Sequence, residues 1–190
     1  MNSPRIVILA SGNGSIAQAI IDSVMQGDLD AEVVGLICDK PGALVLERAA
    51  VSSVETFLIP MQPDRASWDK EIQEKLEALK PDLVVSAGFM RILSAQCVSQ
   101  FRVVNSHPAL LPLFPGAHAV RDALAAGAVQ TGTTIHWVDS GVDTGEIIAQ
   151  EAVEITPTDT EETLHERIKI VERRLYVATL QLILNNLVRT

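Results

Sequence analysis

Two polar residues that can stabilise or move charge stand two positions apart in Asn105-Ser106-His107. The carboxamide of Asn105 can donate a hydrogen bond to an oxyanion, and the imidazole of His107 can carry a proton near neutral pH. Side chains at positions i and i+2 of an extended segment point the same way, so both can face one cleft. A structural histidine and a turn asparagine would have the same spacing, and this pair alone leaves both interpretations open.

Asp143 is a third candidate, because it lies in the glycine-bearing segment 139–145 between two apolar runs. Such a loop can bring a carboxylate beside an imidazole, where it favours the protonated ring and orients it. A solvated turn aspartate is the alternative. We expect His136 to be packed or locally bonded, and His118 and His165 to be helix residues without special partners. The histidines and carboxylates lack zinc-site spacing, so no metal is expected.

The glycine-rich run SGNGS at positions 11–15 follows a short apolar segment and precedes a helical pattern. Its glycines allow a tight turn, and amides at the start of the following helix can bind an anion. The run is not G-x-G-x-x-G and no lysine follows it, which favours a phosphate monoester over a dinucleotide or a nucleoside triphosphate. A plain strand-to-helix turn built from small residues remains the alternative.

Alternating strands and helices are predicted to position these residues. The predicted strands are 5–10, 32–38, 55–59, 83–87, 102–105, 133–138 and 147–155. The predicted helices are 16–25, 43–51, 65–79, 94–99, 118–126 and 161–187. This alternation predicts an α/β fold, with a mostly parallel twisted sheet, helices on both faces and a Rossmann-like mononucleotide-binding N-terminal half. Ligands bind at the carboxyl ends of strands in such sheets.

Composition limits the classes of partner. The chain has 190 residues and a formal net charge of −9, which works against nucleic acids and anionic membranes. Cys38 and Cys97 lie in apolar surroundings without CxxC spacing, so we expect two buried reduced thiols. No signal-peptide pattern or membrane-length apolar run is present, and a cytoplasmic location is expected.

Four segments taken together resemble the glycinamide ribonucleotide formyltransferases, the folate-dependent enzymes of purine biosynthesis. They are ILASGNGS, SAGFMRIL, NSHPALLPLFPGAH and GTTIHWVDSGVDTGEIIAQ, in that order. The resemblance implies a single formyltransferase domain over 1–190, with a phosphate-binding half at 1–100 and a folate-binding and catalytic half at 101–190. It implies formyl transfer from 10-formyltetrahydrofolate, as cosubstrate, to the amine of glycinamide ribonucleotide (GAR). It further implies small-molecule partners and a monomer or homodimer.

The resemblance also implies roles for individual residues. Those matching the family's catalytic set are Asn105, His107 and Asp143. Those matching its GAR-binding positions are Gly14, Ser15, Ile16 and Glu172. Those matching its folate pocket are Arg65, Met90, Arg91, Ile92, Leu93 and Asn105. Position 16 is often asparagine in the family, so Ile16 can contribute only its backbone N–H. Plain core residues at 92 and 93, and solvated helix charges at 65 and 172, are the alternatives.

Two related enzyme classes and one non-enzyme are the rival interpretations. Methionyl-tRNA formyltransferases usually carry an added RNA-binding domain, and formyltetrahydrofolate deformylases an added regulatory domain; we expect neither within 190 residues. The acidic charge also disfavours tRNA. A non-catalytic nucleotide-binding module would explain SGNGS but would leave NSHPALLPLFPG and the loop around Asp143 without a purpose.

Overall fold

A computed structural model describes residues 3–187 and shows one seven-stranded sheet flanked by helices. The strands are Arg5–Ala10 (β1), Glu32–Cys38 (β2), Thr56–Leu58 (β3), Leu83–Ser86 (β4), Val103–His107 (β5), Gln130–Trp137 (β6) and Ile147–Glu154 (β7). The helices are Ser15–Gln26 (α1), Leu44–Val51 (α2), Arg65–Leu79 (α3), Ala95–Gln100 (α4), Ala119–Ala125 (α5) and Glu161–Leu187 (α6). The predicted domain 1–190 extends beyond the described residues at both ends.

The sheet has the order β3-β2-β1-β4-β5-β6-β7. The first five of these strands are mutually parallel, and β6 and β7 are antiparallel additions. The predicted mostly parallel α/β fold is therefore confirmed. The chain moves from β1 outward to β2 and β3, then returns to the other side of β1 as β4. Ligand sites in open α/β sheets lie where the strand order reverses in this way.

The sheet is buried on both faces by two separate hydrophobic clusters. Ile6 and Ile8 of β1 pack with α1, α2 and α6, whereas Val7 and Leu9 pack with α3 and α4. Strands covered on both sides read as continuous apolar runs, which is why they were predictable from the sequence. Val103 belongs to the α3–α4 cluster, so Asn105 and His107, at alternate positions of β5, point to that same face.

Helix α3 shows how local signals set an element. The Asp64 carboxylate accepts hydrogen bonds from the backbone N–H groups of Ala66 and Ser67, which caps the first turn. Trp68, Ile72 and Leu76 follow at intervals of four residues and are buried. Their spacing forms the single apolar stripe that docks this helix on the sheet.

Both cysteines are free and buried, as predicted. Burial raises the pKa of Cys38, and burial followed by the charge of Asp69 raises the pKa of Cys97 to about 11. Both are therefore neutral thiols near pH 7. Between residues 3 and 187, no helix is long and apolar enough to span a bilayer.

Two predicted strand boundaries were wrong by two or more residues. Strand β5 was expected to end at Asn105 because of the prolines that follow, but it continues to His107, where it pairs with Thr134 of β6. Strand β6 begins at Gln130 instead of Thr133, because Gln130 pairs with Glu154 at the far end of β7. In both cases partner hydrogen bonds extend a strand beyond its local sequence signal.

The hydroxyl of Tyr176 ties α6 to the centre of the sheet. The side chain is fully buried, and its single O–H proton is shared between the carbonyl oxygens of Ser86 on β4 (3.0 Å) and Val104 on β5 (2.9 Å). A polar contact in so apolar a setting holds α6 in one position against the strand that carries Asn105 and His107.

We expect Tyr176→Phe to lower the free energy of unfolding by about 1–2 kcal/mol, because it removes one buried donor without leaving a cavity. Urea unfolding followed by circular dichroism measures this loss. Thr179→Val is the matched control, since the Thr179 hydroxyl is also buried but bonds only Leu175 of its own helix. A Tyr176→Phe protein no less stable than this control would contradict the assignment.

Candidate active site

The three side chains predicted to act together converge near the end of β5. His107 Nδ1 lies 3.3 Å from Asp143 Oδ2. Asn105 is linked to the same carboxylate through His136: Asn105 Nδ2 lies 3.3 Å from His136 Nε2, which lies 3.6 Å from Asp143 Oδ1. Strands β5 and β6 and the loop between β6 and β7 therefore supply a carboxamide, two imidazoles and a carboxylate to one cluster.

His136 is the member of this cluster that sequence reasoning missed. It was expected to be packed or locally bonded, and it is buried with Nδ1 donating to the carbonyl oxygen of Trp137 (2.9 Å). Its other ring nitrogen, Nε2, faces both the Asn105 amide and the Asp143 carboxylate. Residues 105 and 136 face each other in the β5–β6 ladder. Only this register reveals the contact, and no local motif encodes it.

Both ring nitrogens of His107 face acceptors. Nδ1 faces Asp143, and Nε2 lies 2.8 Å from the carbonyl oxygen of Phe114. This arrangement suits an imidazolium with a proton on each nitrogen. Phe114 has φ +53°, a conformation that bulky residues seldom adopt, so the loop after β5 is bent to place this carbonyl. A reacting oxygen would have to take the place of Phe114 on Nε2.

Asp143 is held as an anion. Burial acts to raise the pKa of its carboxyl group, but hydrogen bonds with His136 and with the Gly116 N–H, together with the charges of His107 and His136, lower the pKa below its ordinary value. The Gly116 N–H donates to Oδ2 over 2.8 Å. The backbone of Asp143 itself is left-handed, with φ +55°. The loop therefore presents a charged acceptor in a fixed position.

The loop that carries Asp143 is closed by its own hydrogen bonds. Asp139 Oδ1 accepts from the Gly141 N–H (3.0 Å) and from the Thr144 hydroxyl (2.7 Å). Gly145 is needed for a different reason, since a Cβ atom there would lie 1.8 Å from the carbonyl oxygen of Trp137. These constraints fold the loop back on the strand that precedes it.

The glycine-rich run forms the turn from β1 to α1. Gly14 has φ +76°, and a Cβ atom on it would lie 2.3 Å from Val45 Cγ2, so only glycine fits there. It provides no side-chain cap, which leaves the first amides of α1 open to an external acceptor. The Ile16 side chain is buried in the core. A contact between Ile16 and a ligand at this turn can therefore come only from its backbone N–H.

The segment after β4 packs directly against this turn. The Met90 N–H donates to the Ser11 hydroxyl over 2.8 Å. Met90 and Ile92 expose 62% and 57% of their surfaces, whereas Leu93 is buried in the α3–α4 cluster. The guanidinium of Arg65 donates to the Ile92 carbonyl oxygen. Arg65 and residues 90–93 thus form one continuous wall, in which Leu93 serves as core.

Glu172 lies apart from the cluster around Asp143. It is buried on α6, on the face of β5 to which Ser106 points, opposite to Asn105 and His107. Burial raises the pKa of its carboxyl group, although a contact with Ser106 and the charges of Lys169 and Arg173 act to lower it. The alternative of a solvated helix charge is therefore wrong for Glu172.

Two surface grooves lie away from this cluster. One of about 530 Å³ lies beside Met25 and Val54, and one of about 480 Å³ lies between α1 and α6. Among residues 3–187, no group of three His, Cys, Asp or Glu side chains is arranged to hold a metal ion.

We expect Asp143→Asn to reduce stability in a pH-dependent manner. The folded-state pKa of Asp143 is lowered, so its ionisation contributes stability above the ordinary pKa, and this contribution is lost as the pH falls through the folded-state value. At about pH 5, urea unfolding should give a higher free energy of unfolding for wild type than for the variant. This difference should be smaller at about pH 3. The exposed Asp122→Asn serves as control. A difference in the free energy of unfolding that grows as the pH falls would contradict the lowered pKa of Asp143.

Comparison with known proteins agrees with this geometry. Residues 4–180 match the family described as formyl transferase. The chain is 51% identical over 178 residues to a phosphoribosylglycinamide formyltransferase of Mycobacterium tuberculosis, covering 92% of this chain and 82% of the relative. For the Bacillus subtilis protein of that name, identity is 38% over 184 residues, with 95% and 94% covered.

Solved structures show the same relationship. The phosphoribosylglycinamide formyltransferase of Bacillus halodurans superposes with a TM-score of 0.90 at 46% identity, over 95% of each chain. The glycinamide ribonucleotide transformylase 1 of Symbiobacterium toebii superposes with a TM-score of 0.94 at 38% identity, over 97% of this chain and 89% of that one. Sequence and fold agree, and the chain belongs to the formyl transferase family, among its phosphoribosylglycinamide formyltransferases.

Proposed function

We propose that this chain transfers the formyl group of 10-formyltetrahydrofolate to the amine of GAR, giving formyl-GAR and tetrahydrofolate in purine biosynthesis. The observation that carries the proposal is the convergence of Asn105, His107 and Asp143. Asn105 lies on β5, which pairs with β4, the strand that leads into the wall of Arg65 and residues 90–93. Membership of the family supplies the two substrates. A cytoplasmic location and a monomeric or homodimeric state remain predictions.

The proposed chemistry is direct transfer without a covalent enzyme intermediate. The neutral amine of GAR attacks the formyl carbon, forming a C–N bond and a tetrahedral oxyanion. Asn105 Nδ2 and protonated His107 donate to that oxyanion, with Nε2 of His107 exchanging the Phe114 carbonyl oxygen for it. Collapse breaks the bond to the folate nitrogen. The amine proton passes through water held by Asp143 to that nitrogen, so charge and protons balance.

The two substrates are proposed to approach from opposite faces of the sheet. On the α1–α6 face, the amides of Gly14, Ser15 and Ile16 at the helix N-terminus would hold the GAR phosphate, and Glu172 would lie near the ribose. On the other face, the wall of Arg65 and residues 90–93, with Asn105, would hold the folate. Of the proposed halves 1–100 and 101–190, the second contains the catalytic set, whereas the first contributes the wall of Arg65 and residues 90–93 as well as the phosphate turn.

Holding both reactants accounts for much of the rate enhancement. A bound phosphate and a bound folate fix one reactant each, which removes the entropic cost of bringing amine and formyl carbon together. The acidic chain charge and the absence of a basic patch in the sequence argue against a tRNA substrate. Hydrolysis of formyltetrahydrofolate is the second candidate, because the same three side chains would serve a water nucleophile.

The test of the proposed function uses the purified protein with GAR and 10-formyltetrahydrofolate. Loss of the formyl-folate is followed spectroscopically, and the products are separated to measure formyl-GAR against free formate. Formyl-GAR formed in step with folate loss is the expected result. Formate without formyl-GAR would make the protein a hydrolase, and no loss of formyl-folate would refute both activities.

We expect Asn105→Ala and Asp143→Asn each to lower kcat by roughly 10²- to 10³-fold, because each removes a preorganised group that stabilises the transition state. The KM values of both substrates should change far less. Steady-state kinetics measures the split, with Asp122→Asn on α5 as control. Near wild-type turnover in either variant would remove that residue from the mechanism.

We expect Ser15→Asp to raise the KM for GAR by at least about tenfold, because a carboxylate at the start of α1 repels the phosphate and competes for its amides. The kcat at saturating GAR and the KM for the folate should stay within about twofold of wild type. Ser99→Asp, at an exposed position on α4, is the control. An unchanged KM for GAR would argue against this turn as the phosphate site.

A further inference from the structure

A buried ion pair spans the carboxyl ends of three strands. Asp39 directly follows β2, and Arg91 lies in the segment after β4. Its Nε donates to Asp39 Oδ2 over 2.6 Å. Because β1 lies between β2 and β4 in the sheet, the Arg91 side chain must cross the end of β1, where the glycine-rich turn begins. The pair therefore joins the proposed folate wall to the far side of the turn.

Burial makes this contact nearly obligatory. The Asp39 side chain is fully buried, whereas that of Arg91 is 33% exposed. Among the described residues, Asp39 Oδ1 has no hydrogen-bond partner, so Arg91 is the charge that offsets this carboxylate. A buried carboxylate without its partner is strongly unfavourable. Separating the Arg91 guanidinium from Asp39 is consequently costly. This contact comes from outside the wall, because Asp39 is not one of the wall residues.

Two further contacts fix the same segment. The Met90 N–H donates to Ser11, and the Ile92 carbonyl oxygen accepts from Arg65. Together with the Asp39–Arg91 ion pair, these contacts hold three successive residues of the wall. Their partners come from three different parts of the chain. The exposed side chains of Met90 and Ile92 flank the Arg91 anchor. Because this apolar wall is already fixed in the free protein, less of the binding free energy is lost to ordering it when a ligand binds.

We propose that Asp39 is a positioning residue for the folate cosubstrate. Its carboxylate holds the Arg91 guanidinium across the end of β1, which keeps Met90 and Ile92 in their binding positions and leaves the terminal Nη groups available to an acceptor on the cosubstrate. Asp39 itself touches neither substrate. The inference rests on the proposed function, from which it takes the identity of the ligand.

The first experiment replaces the charge while keeping the shape. Asp39→Asn should raise the KM for 10-formyltetrahydrofolate by about fivefold or more, whereas kcat and the KM for GAR stay within about twofold. Hydrogen exchange at the amides of residues 90–93 should become faster in the free protein. Glu74→Gln is the matched control, because it makes the same change in the exposed Lys70–Glu74 pair and should alter none of these values.

The second experiment separates positioning from stability. Arg91→Gln alone leaves a buried carboxylate without a partner and should lower Tm by about 5 °C or more. Adding Asp39→Asn should restore most of that Tm but leave the folate KM as high as in Arg91→Gln alone. The two KM effects should therefore not multiply, as expected for residues that act through one contact.

Two results would overturn the inference: a wild-type folate KM in Asp39→Asn, or KM effects that multiply in the double variant. If Asp39→Asn proves too unstable to assay, Arg91→Lys must raise the same KM, and failure to do so counts equally against the proposal. Wild-type protein that transfers formyl groups while these variants behave normally refutes this inference alone. Wild-type protein without transfer refutes the proposed function as well.

Discussion

The register between β5 and β6 is the constraint on which the whole candidate site depends. It sets Asn105 opposite His136, and strand alternation then turns His107 to the same face. A slip of one residue would turn Asn105 and His107 towards α6 and bring Ser106 to the site in their place. The loop with Asp143 depends on the same pairing, because it leaves the end of β6 and folds back towards His107. Tyr176 secures β5 from the opposite face.

Two carboxyl groups on opposite sides of β5 show how environment assigns roles. Hydrogen bonds and imidazole charges keep the pKa of Asp143 low, whereas burial raises that of Glu172. The first is suited to supporting a cation and guiding a proton at the reacting end. The second is suited to contacts with neutral hydroxyl groups. Groups of the same chemical type are thus separated by a single strand and set to different tasks.

The sequence was sufficient for most of the fold, because strands buried on both faces read as apolar runs and Asp64 and Trp68 mark α3 clearly. It also indicated Asn105, His107 and Asp143 as residues able to do chemistry, although their types and spacing left other interpretations open until the family resemblance assigned them roles. His136, the Phe114 carbonyl and Asp39 were not predictable in the same way. Their roles depend on strand register, on a left-handed backbone at one loop residue, and on strand order. These are long-range properties that no local pattern records.

The Phe114 carbonyl has a consequence for how the proposed reaction distinguishes its stages. In the free protein it occupies His107 Nε2 with a neutral amide oxygen. The formyl oxygen of the bound cosubstrate is also a neutral amide-type oxygen, so it gains little by displacing Phe114. An oxyanion is a far stronger acceptor and wins the exchange. Displacing Phe114 costs the same free energy in either state, so the difference that accelerates the proposed reaction comes from the stronger hydrogen bond between His107 Nε2 and the oxyanion.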